Sequence, residues 1–188
     1  MNNELNRQTL EKVVRILNEL QIPYYFTGGI VSNVYGDPRF TEDLDLVVSI
    51  SLNQAEGLFS ALESAFRIDQ EEMMDAVSDE RIFQALDEDT FVKIDFHVGE
   101  KIPGAADRAI ETTIFGVGPL WVVSKEDAIV SKVFWVSLGS ARSEKDIANM
   151  LIDSSPVDLA LVENLCEQLG ILDHFNRIRK KMEEGGIF

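Results

Sequence analysis

Hydrophobic residues recur along the chain at the two spacings that distinguish helices from strands. Near the start, Leu10, Val13 and Leu17 follow one another at intervals of three or four residues. This spacing places them on one side of a helix, which we predict over about residues 6–20, ending before Pro23. The first element is therefore an amphipathic helix whose apolar side needs a partner.

Short apolar runs bounded by glycine, proline or polar residues predict strands. The most regular is "VKIDFHV", in which Ile94 and Phe96 alternate with Lys93, Asp95 and His97. Because side chains two residues apart in a strand share a face, the two sets are expected on opposite sides of a sheet. The predicted strands cover residues 24–27, 43–50, 81–86 and 91–98, and a pair lies within "TTIFGVGPLWVV".

Helical spacing returns after the second strand and dominates the last third of the chain. Ser51 or Asn53 is expected to cap a helix that carries Leu58 and Phe66. The acidic segment over residues 70–79 is typical of a helix or a loop. Further helices are predicted over residues 124–138, 143–152, 156–169 and 171–183.

This order of elements predicts an α/β (α+β) fold in which helices flank a mixed β-sheet. We expect a sheet core over residues 1–123 and a helical lobe over residues 124–188 packed on it. A chain of 188 residues with 45% hydrophobic residues is long enough to bury such a core.

The charge of the chain narrows the range of partners. It has 17 Lys and Arg residues against 33 Asp and Glu residues, a net charge of −16, which argues against broad binding to nucleic-acid phosphates. The concentrated basic run is "RIRKK", Arg177–Lys181. It is either a contact for a nucleic-acid acceptor or a solvated helix end that complements the helix dipole.

Features that bear on location and redox chemistry are few. The sequence carries no signal-peptide pattern and no apolar run of membrane-spanning length. The single cysteine, Cys166, excludes an internal disulfide and lies in an apolar segment, where a buried side chain is expected. These features predict a cytoplasmic protein with no membrane partner.

The main candidate site begins with two aspartates one residue apart. Asp43 and Asp45 open an apolar strand and share one face of it. Either they cap the exposed end of the strand or they hold a cation, since neighbouring carboxylates repel each other unless a positive charge lies between them. A third carboxylate, Asp95, completes a site for two Mg²⁺ ions if its strand lies beside theirs. His97 shares the face of Asp95 and is expected either to reach this site or to be partly buried and hydrogen-bonded.

A glycine pair precedes the aspartates. Gly28 and Gly29 directly follow the first predicted strand and lead into "IVSNVY", which is long enough for two helical turns. The pair is typical of a tight turn, and it also allows backbone N–H groups to approach a phosphate. Arg39 and Thr41, in the loop before the aspartates, are candidates either for phosphate contact or for surface hydrogen bonds. We therefore predict that phosphates and metal ions meet in one place.

In combination, these motifs resemble a known family. "TGG", a gap of thirteen residues, "DLDLV" and the later "VKIDFHV" are similar to the nucleotidyltransferases of the DNA polymerase β superfamily. More narrowly, "YGDPRFTEDLDLVV", "SKEDAIVSKVFW" and "ARSEKDIANM" resemble the small bacterial nucleotidyltransferases related to AbiE-type abortive-infection toxins. The resemblance covers about residues 24–152.

The resemblance implies Mg²⁺-dependent transfer of a nucleoside monophosphate from an NTP on a nucleotidyltransferase-like mixed sheet. It also assigns Lys132 and Asp146 to the nucleotide site, although the first is also consistent with a lysine extending from an apolar face and the second with a solvated helix residue. Gly29 stands where many members have serine, so phosphate contact here rests on backbone groups. The implied nucleotide-binding residues are Gly28, Gly29, Arg39, Thr41, Lys132 and Asp146, and the implied catalytic and metal-binding residues are Asp43, Asp45 and Asp95.

The sequence leaves the acceptor open among a tRNA, a protein and a small molecule. A toxin-like member would have a cognate antitoxin as a further partner. The alternative function is a non-catalytic module that binds nucleotide or metal on the same fold. In a third alternative, the protein is structural and its aspartates only cap strands.

Overall fold

The computed structural model describes residues 2–36, 41 and 43–186, and within them nine helices and seven strands. The helices are α1 (Asn2–Glu19), α2 (Ser32–Tyr35), α3 (Leu52–Leu62), α4 (Gln70–Ser78), α5 (Ala105–Arg108), α6 (Lys125–Ser137), α7 (Ala141–Ile152), α8 (Leu159–Gln168) and α9 (Leu172–Glu183). The strands are β1 (Tyr24–Thr27), β2 (Asp43–Val48), β3 (Phe66–Arg67), β4 (Ile82–Asp87), β5 (Lys93–Val98), β6 (Ile110–Ile114) and β7 (Val117–Val122).

All seven strands form one mixed sheet in the order β3-β4-β5-β2-β1-β7-β6. β2 pairs with β5, and β1 with β7, in parallel, while the other neighbours are antiparallel. The predicted mixed α/β class is therefore confirmed. The order also places β5 directly beside β2, although α3, β3, α4 and β4 lie between them in the chain.

Half-buried and buried residues alternate strictly along β2 and β5, so each strand has one buried face and one half-buried face. Leu44 and Leu46 of β2, and Ile94 and Phe96 of β5, have no solvent-exposed surface. Residues between them are only partly buried. The two faces predicted for "VKIDFHV" are confirmed, and the polar face of both strands points to the same side of the sheet because the strands pair in register.

Helix α1 begins earlier than predicted, at Asn2 rather than near Asn6. Its apolar side is buried as expected, since Leu10, Val13 and Leu17 have no exposed surface. The additional first turn carries ion pairs at helical spacing, with the guanidinium of Arg7 2.6 Å from a carboxylate oxygen of Glu4. The prediction used the spacing of Leu10, Val13 and Leu17, and Leu5, the apolar residue of the additional turn, lies five residues before Leu10, outside that spacing.

The helix expected to carry Phe66 ends at Leu62, which corrects that prediction. Ser51 begins it with a capping box, as one of the two predicted caps. Phe66 instead forms the short strand β3 and pairs with Asp87 of β4. Its spacing from Leu62 suits a helix, but the open edge of β4 provides backbone partners that a helix would leave unused.

The four C-terminal helices pack on one another, with α6 in contact with α7, α8 and α9. The ammonium group of Lys125 is buried and donates to Asp153 Oδ1 at 3.0 Å and to Ser155 Oγ at 2.7 Å. The buried hydrophobic residues form a single cluster that runs from Leu10 to Ile178. A division of the chain at residue 123 stays a prediction. In the described part of the chain, no helix is both long and apolar enough to cross a membrane.

A buried carboxylate ties α1 to the end of β4. Asp87 has no exposed surface and accepts hydrogen bonds from Thr9 Oγ1 and Lys12 Nζ, each at 2.8 Å. Burial alone would raise the pKa of Asp87, but these donors outweigh it and hold the pKa below its usual value. The folded state therefore favours the ionised form of Asp87. Its contribution to the free energy of unfolding is present at neutral pH and is lost as the pH falls through the lowered pKa.

We expect Asp87→Asn to lower the free energy of unfolding at pH 7 by about 1–3 kcal/mol, because the charged acceptor for Lys12 is lost. The difference from the wild type should shrink at pH 3 and below, where the wild-type carboxylate also becomes protonated. Urea unfolding at both pH values measures this. Asp89→Asn is the matched control, because Asp89 is a second acceptor for Lys12 whose side chain is 79% exposed. Equal effects of the two variants would contradict the prediction.

Candidate active site

Three carboxylates meet on the half-buried face of β2 and β5. Asp43 and Asp45 lie on the same side of β2, and Asp95 is the direct partner of Asp45 in the parallel register. Their side chains are 43%, 24% and 17% exposed, respectively. The sequence prediction that a later strand brings a third aspartate to the first two thus corresponds to the observed pairing.

A lysine of the same face lies between two of these carboxylates. Lys93 Nζ is 3.0 Å from Asp95 Oδ2 and 3.5 Å from Asp43 Oδ2. Burial lowers the pKa of Lys93, but its hydrogen bond to Asp95 and the neighbouring negative charges outweigh this and raise the pKa above its usual value. The positive charge that two close carboxylates need is therefore supplied by the chain itself.

The charge balance on this face is incomplete despite Lys93. Burial is the main cause that raises the pKa of Asp43, and the charges of Asp95 and Asp45 add to it, against the opposite effect of Lys93. On its other oxygen, Asp95 accepts a hydrogen bond from Gln84 Nε2 at 2.9 Å. Among residues 2–36, 41 and 43–186, no group of three or more His, Cys, Asp or Glu side chains is arranged to hold a metal ion.

The glycine turn packs directly on Asp45. Gly28 has a φ of +69°, and a Cβ built on it would lie 2.0 Å from Asp45 Oδ2. The N–H of Gly29 donates to the same oxygen at 3.3 Å. Glycine at position 28 is thus required both by the backbone conformation and by the space that the carboxylate fills.

The helix after the glycines is shorter than the predicted two turns. α2 spans only Ser32–Tyr35, and Gly36 ends it in an extended conformation. The turn over residues 28–31 includes Ile30 and Val31, which the prediction assigned to the helix. One helical turn sums few peptide dipoles, so this segment offers a phosphate individual N–H groups rather than a helix dipole. Phosphate contact at Gly28 and Gly29 stays a prediction.

The loop before β2 contains the two remaining candidates from this region. Thr41 is buried, its hydroxyl donates to the carbonyl of Asp43 at 2.8 Å, and its own carbonyl accepts from Asn6 Nδ2. These bonds fix the start of the strand that carries the aspartates. Arg39 lies outside the described residues. Contact of either residue with phosphate stays a prediction.

Lys132 and Asp146 form an ion pair between α6 and α7. Lys132 Nζ lies 2.7 Å from Asp146 Oδ2, and the two residues are only 7% and 8% exposed. Asp146 is therefore not a solvated helix residue, and the ammonium group of Lys132 binds Asp146 rather than extending from the apolar face into solvent. The structure brings the pair together but does not place it among the residues that line the cavity described next, and its part in nucleotide binding stays a prediction.

A cavity of about 670 Å³ opens beside Asp45, between the sheet and α6. Gly28, Asp45 and His97 lie on its sheet side, and Phe134 and Trp135 of α6 line the opposite side. His97 Nε2 is 3.5 Å from Asp45 Oδ1. The cavity was not predicted from the sequence, since it depends on how α6 packs. The local signal was the adjacent aromatic pair Phe134 and Trp135, which is equally typical of a helix side that packs against the core.

The basic run at the C terminus is largely neutralised. Arg179 pairs with Glu163, Lys181 pairs with Glu144, and Arg177 donates to His174. None of the residues of the run lines the cavity beside Asp45. The run therefore pairs with acidic residues of α7 and α8, and both interpretations of "RIRKK" stay predictions.

Comparison with protein families gives one match that covers most of the chain. Residues 13–148 match the family described as nucleotidyl transferase AbiEii toxin, type IV toxin–antitoxin system. The match includes the glycine turn, the three aspartates, Lys132 and Asp146. No curated protein is similar enough in sequence to count as a relative.

Solved structures with a similar fold are nucleotidyltransferases at low sequence identity. The antibiotic-resistance factor ANT(2'')-Ia is 16% identical, with a TM-score of 0.56 over 98% of this chain and 94% of that one. The lincosamide antibiotic adenylyltransferase LnuA, solved with lincomycin, is 15% identical, with a TM-score of 0.52 over 77% and 96%. An antigenic nucleotidyltransferase-like protein from Paracoccidioides brasiliensis is 16% identical, with a TM-score of 0.57 over 95% and 90%. At these identities the likeness establishes the fold.

Proposed function

The chain belongs to the AbiEii family of nucleotidyl transferase toxins of type IV toxin–antitoxin systems, and on that premise we propose that it transfers a nucleoside monophosphate from an NTP to a hydroxyl group of an acceptor. The observation that carries the proposal is the acidic face: Asp43, Asp45 and Asp95 lie side by side on two parallel strands, against a glycine turn. A structural role for the aspartates does not explain why two strands each place carboxylates at this one position.

The acidic face fits a hard divalent cation. It offers carboxylate oxygens, the donors that Mg²⁺ prefers, and two of the three carboxylates, those of Asp43 and Asp95, already bind a cation in the form of the Lys93 ammonium group. We propose that Asp43, Asp45 and Asp95 hold Mg²⁺ once Lys93 moves aside. The bound ions would neutralise the triphosphate and favour the ionised form of the acceptor hydroxyl.

The transfer step needs an oxygen nucleophile, a leaving group and a place for one proton. The acceptor hydroxyl oxygen forms a bond to the α-phosphorus, the bond from that phosphorus to the bridging oxygen breaks, and pyrophosphate leaves. We assign the proton to Asp95, which lies beside Asp45. In the resting state both of its oxygens accept hydrogen bonds, from Gln84 and Lys93.

Nucleotide contacts are proposed on both sides of the acidic face. Gly28 and Gly29 offer backbone groups in a turn that has no side chains to keep a phosphate away. Lys132 and Asp146 are proposed to contribute from the α6–α7 interface, and Arg39 and Thr41 from the loop before β2. Of these, the N–H of Gly29 already points to the carboxylate that the metal would bind.

If Lys93 takes the place of a metal ion, then Lys93→Met should bind Mg²⁺ about fivefold more tightly than the wild type, because the metal no longer displaces an ammonium group from a partly exposed pair. Without Mg²⁺ the variant should melt about 2 °C lower, since the carboxylates repel one another. Calorimetric titration with Mg²⁺ and thermal unfolding measure the two effects. Lys180→Met, at an exposed position on α9, is the control. Weaker Mg²⁺ binding in Lys93→Met would show that Lys93 does not compete with the metal.

The proposed activity is tested with each of the four labelled NTPs, Mg²⁺, and separate tRNA, protein and small-molecule fractions as acceptors. We expect pyrophosphate release coupled to labelling of one fraction, and loss of both when EDTA removes the metal. Stabilisation by an NTP without pyrophosphate release in any fraction would instead identify a non-catalytic nucleotide-binding module. A cognate antitoxin is proposed on family membership alone.

A further inference from the structure

We propose that the cavity beside Asp45 binds the acceptor, and that this acceptor is a small, largely apolar molecule with a free hydroxyl group. The inference rests on the proposed function and specifies its substrate class. It would place the hydroxyl end of the molecule near Asp45 and His97, and the apolar body against α6.

The size of the cavity suits a small molecule. Its volume of about 670 Å³ lies in the range of about 300–1,000 Å³ that is typical of small-molecule sites. A nucleotide at the end of a tRNA or a loop of a protein would use part of such a space, but most of their contact surface would lie outside it. The chain therefore has a place for a whole small acceptor next to the carboxylates.

The lining of the cavity is apolar with one polar end. Phe134 and Trp135 are 46% and 42% exposed, although large aromatic side chains are usually covered when nothing binds them. Ile82, on the β4 edge of the cavity, is also exposed. His97 and Asp45 supply polar atoms at the sheet end. This arrangement recognises a molecule by an apolar or aromatic body and orients it by a hydroxyl group.

The charges around the cavity do not favour a polyanionic acceptor. Its two cationic lining residues are engaged within the chain: Lys101 Nζ donates to the carbonyl of Glu80 at 2.8 Å, and Arg81 lies 3.1 Å from Asp79 Oδ2. Binding of a tRNA needs several cations facing its phosphates, and the chain as a whole carries a net charge of −16. The basic run Arg177–Lys181 lies elsewhere and is paired.

The position of the cavity also separates acceptor from nucleotide. Asp45 and Gly28 line it, whereas Asp43 and the buried pair Lys132–Asp146 do not. Asp95 is not in the lining but is the strand partner of Asp45, next to the proposed position of the hydroxyl group. The parallel strands run from Asp43 and Lys93 at one end towards His97 at the other. A triphosphate on the Asp43 end and an acceptor on the His97 end would approach Asp45 from two sides, which is the arrangement that in-line displacement at the α-phosphorus requires.

The test uses the whole protein, Mg²⁺, labelled NTPs and a cell extract divided into a small-molecule ultrafiltrate, total tRNA and protein. Label should appear on a component of the ultrafiltrate, and removal of the nucleotide by phosphodiesterase should release an acceptor that partitions into organic solvent. Trp135→Ala and Phe134→Ala should each raise the amount of ultrafiltrate needed for half-maximal labelling by about tenfold, with less than a twofold change in the NTP concentration for half-maximal labelling. Leu138→Ala, an exposed apolar residue at the end of the same helix, should change neither.

Other outcomes separate this inference from the proposed function. Label only on tRNA or only on protein would contradict the inference of a small-molecule acceptor, but it would still support the proposed nucleotidyl transfer. If Trp135→Ala raised the half-maximal concentration of NTP and not that of the ultrafiltrate, the cavity would hold the nucleotide and the inference would be wrong. Absence of label from every fraction would overturn both.

Discussion

Replacing Gly28 by alanine should lower nucleotidyl transfer by about a thousandfold and destabilise the protein by about 3 kcal/mol. The new Cβ would lie 2.0 Å from Asp45 Oδ2 and 2.6 Å from Asp45 Cβ. Rotation of the Asp45 side chain cannot relieve a clash that includes its own Cβ, so the turn and β2 must move apart. The φ of +69° adds about 1–2 kcal/mol for a residue with a side chain, and the steric clash adds about 1–3 kcal/mol.

Gly170→Ala provides a control that matches the backbone conformation. Gly170 also has a φ of +69°, but a Cβ built on it meets no atom within 4 Å. It should therefore cost only the conformational term and keep full activity. Urea unfolding and the labelled-NTP assay, carried out on both variants, separate strain from steric overlap. Equal loss of stability in the two variants, with activity retained in Gly28→Ala, would mean that the glycine turn does not hold Asp45 in place.

Asp45→Asn should lower the rate of nucleotidyl transfer by about a thousandfold while leaving the fold intact. The metal ions that this carboxylate is proposed to bind supply several kcal/mol of transition-state stabilisation, and each 1.4 kcal/mol corresponds to a tenfold change in rate. The amide oxygen still accepts the hydrogen bond from Gly29. Removal of one negative charge from a crowded acidic face should also leave the melting temperature unchanged or slightly higher.

The measurement is the rate of pyrophosphate release at saturating NTP, together with calorimetric titration of Mg²⁺. Asp173→Asn, an exposed aspartate in the first turn of α9, should match the wild type in both. Activity of Asp45→Asn within about twofold of the wild type would contradict a role of the acidic face in catalysis. The change in activation free energy would then be far below several kcal/mol.

The sequence was most informative where burial alone decides the structure. The alternation of Ile94 and Phe96 with Asp95 and His97 determines which side of β5 faces the core, because one face must leave water and the other cannot. The same pattern in β2 is compatible with pairing to β5, but that pairing is established only by the sheet order. For the same reason the sequence could predict that Asp43 and Asp45 share one face of their strand, whereas their role in catalysis stays a prediction.

Two parts of the site could not be predicted in the same way. The position of Lys93 on the acidic face is visible in the alternation, but its bridging contact with Asp43 and Asp95 depends on strand register across two separate segments. The cavity depends on the packing of α6 over the sheet. An adjacent aromatic pair such as Phe134 and Trp135 is as typical of a buried helix side as of a cavity lining. Tertiary geometry, rather than local pattern, decides both.

The alternation of buried and half-buried residues along β2 and β5 also determines which fraction of the folded molecules has a correctly assembled acidic face. A shift of one residue in the pairing would turn Lys93, Asp95 and His97 towards the core and expose Ile94 and Phe96, at the cost of burying charges. Mispaired copies would therefore be too unstable to persist as inactive protein. The free energy that drives burial of the apolar face thereby selects the copies in which the acidic face is correctly assembled.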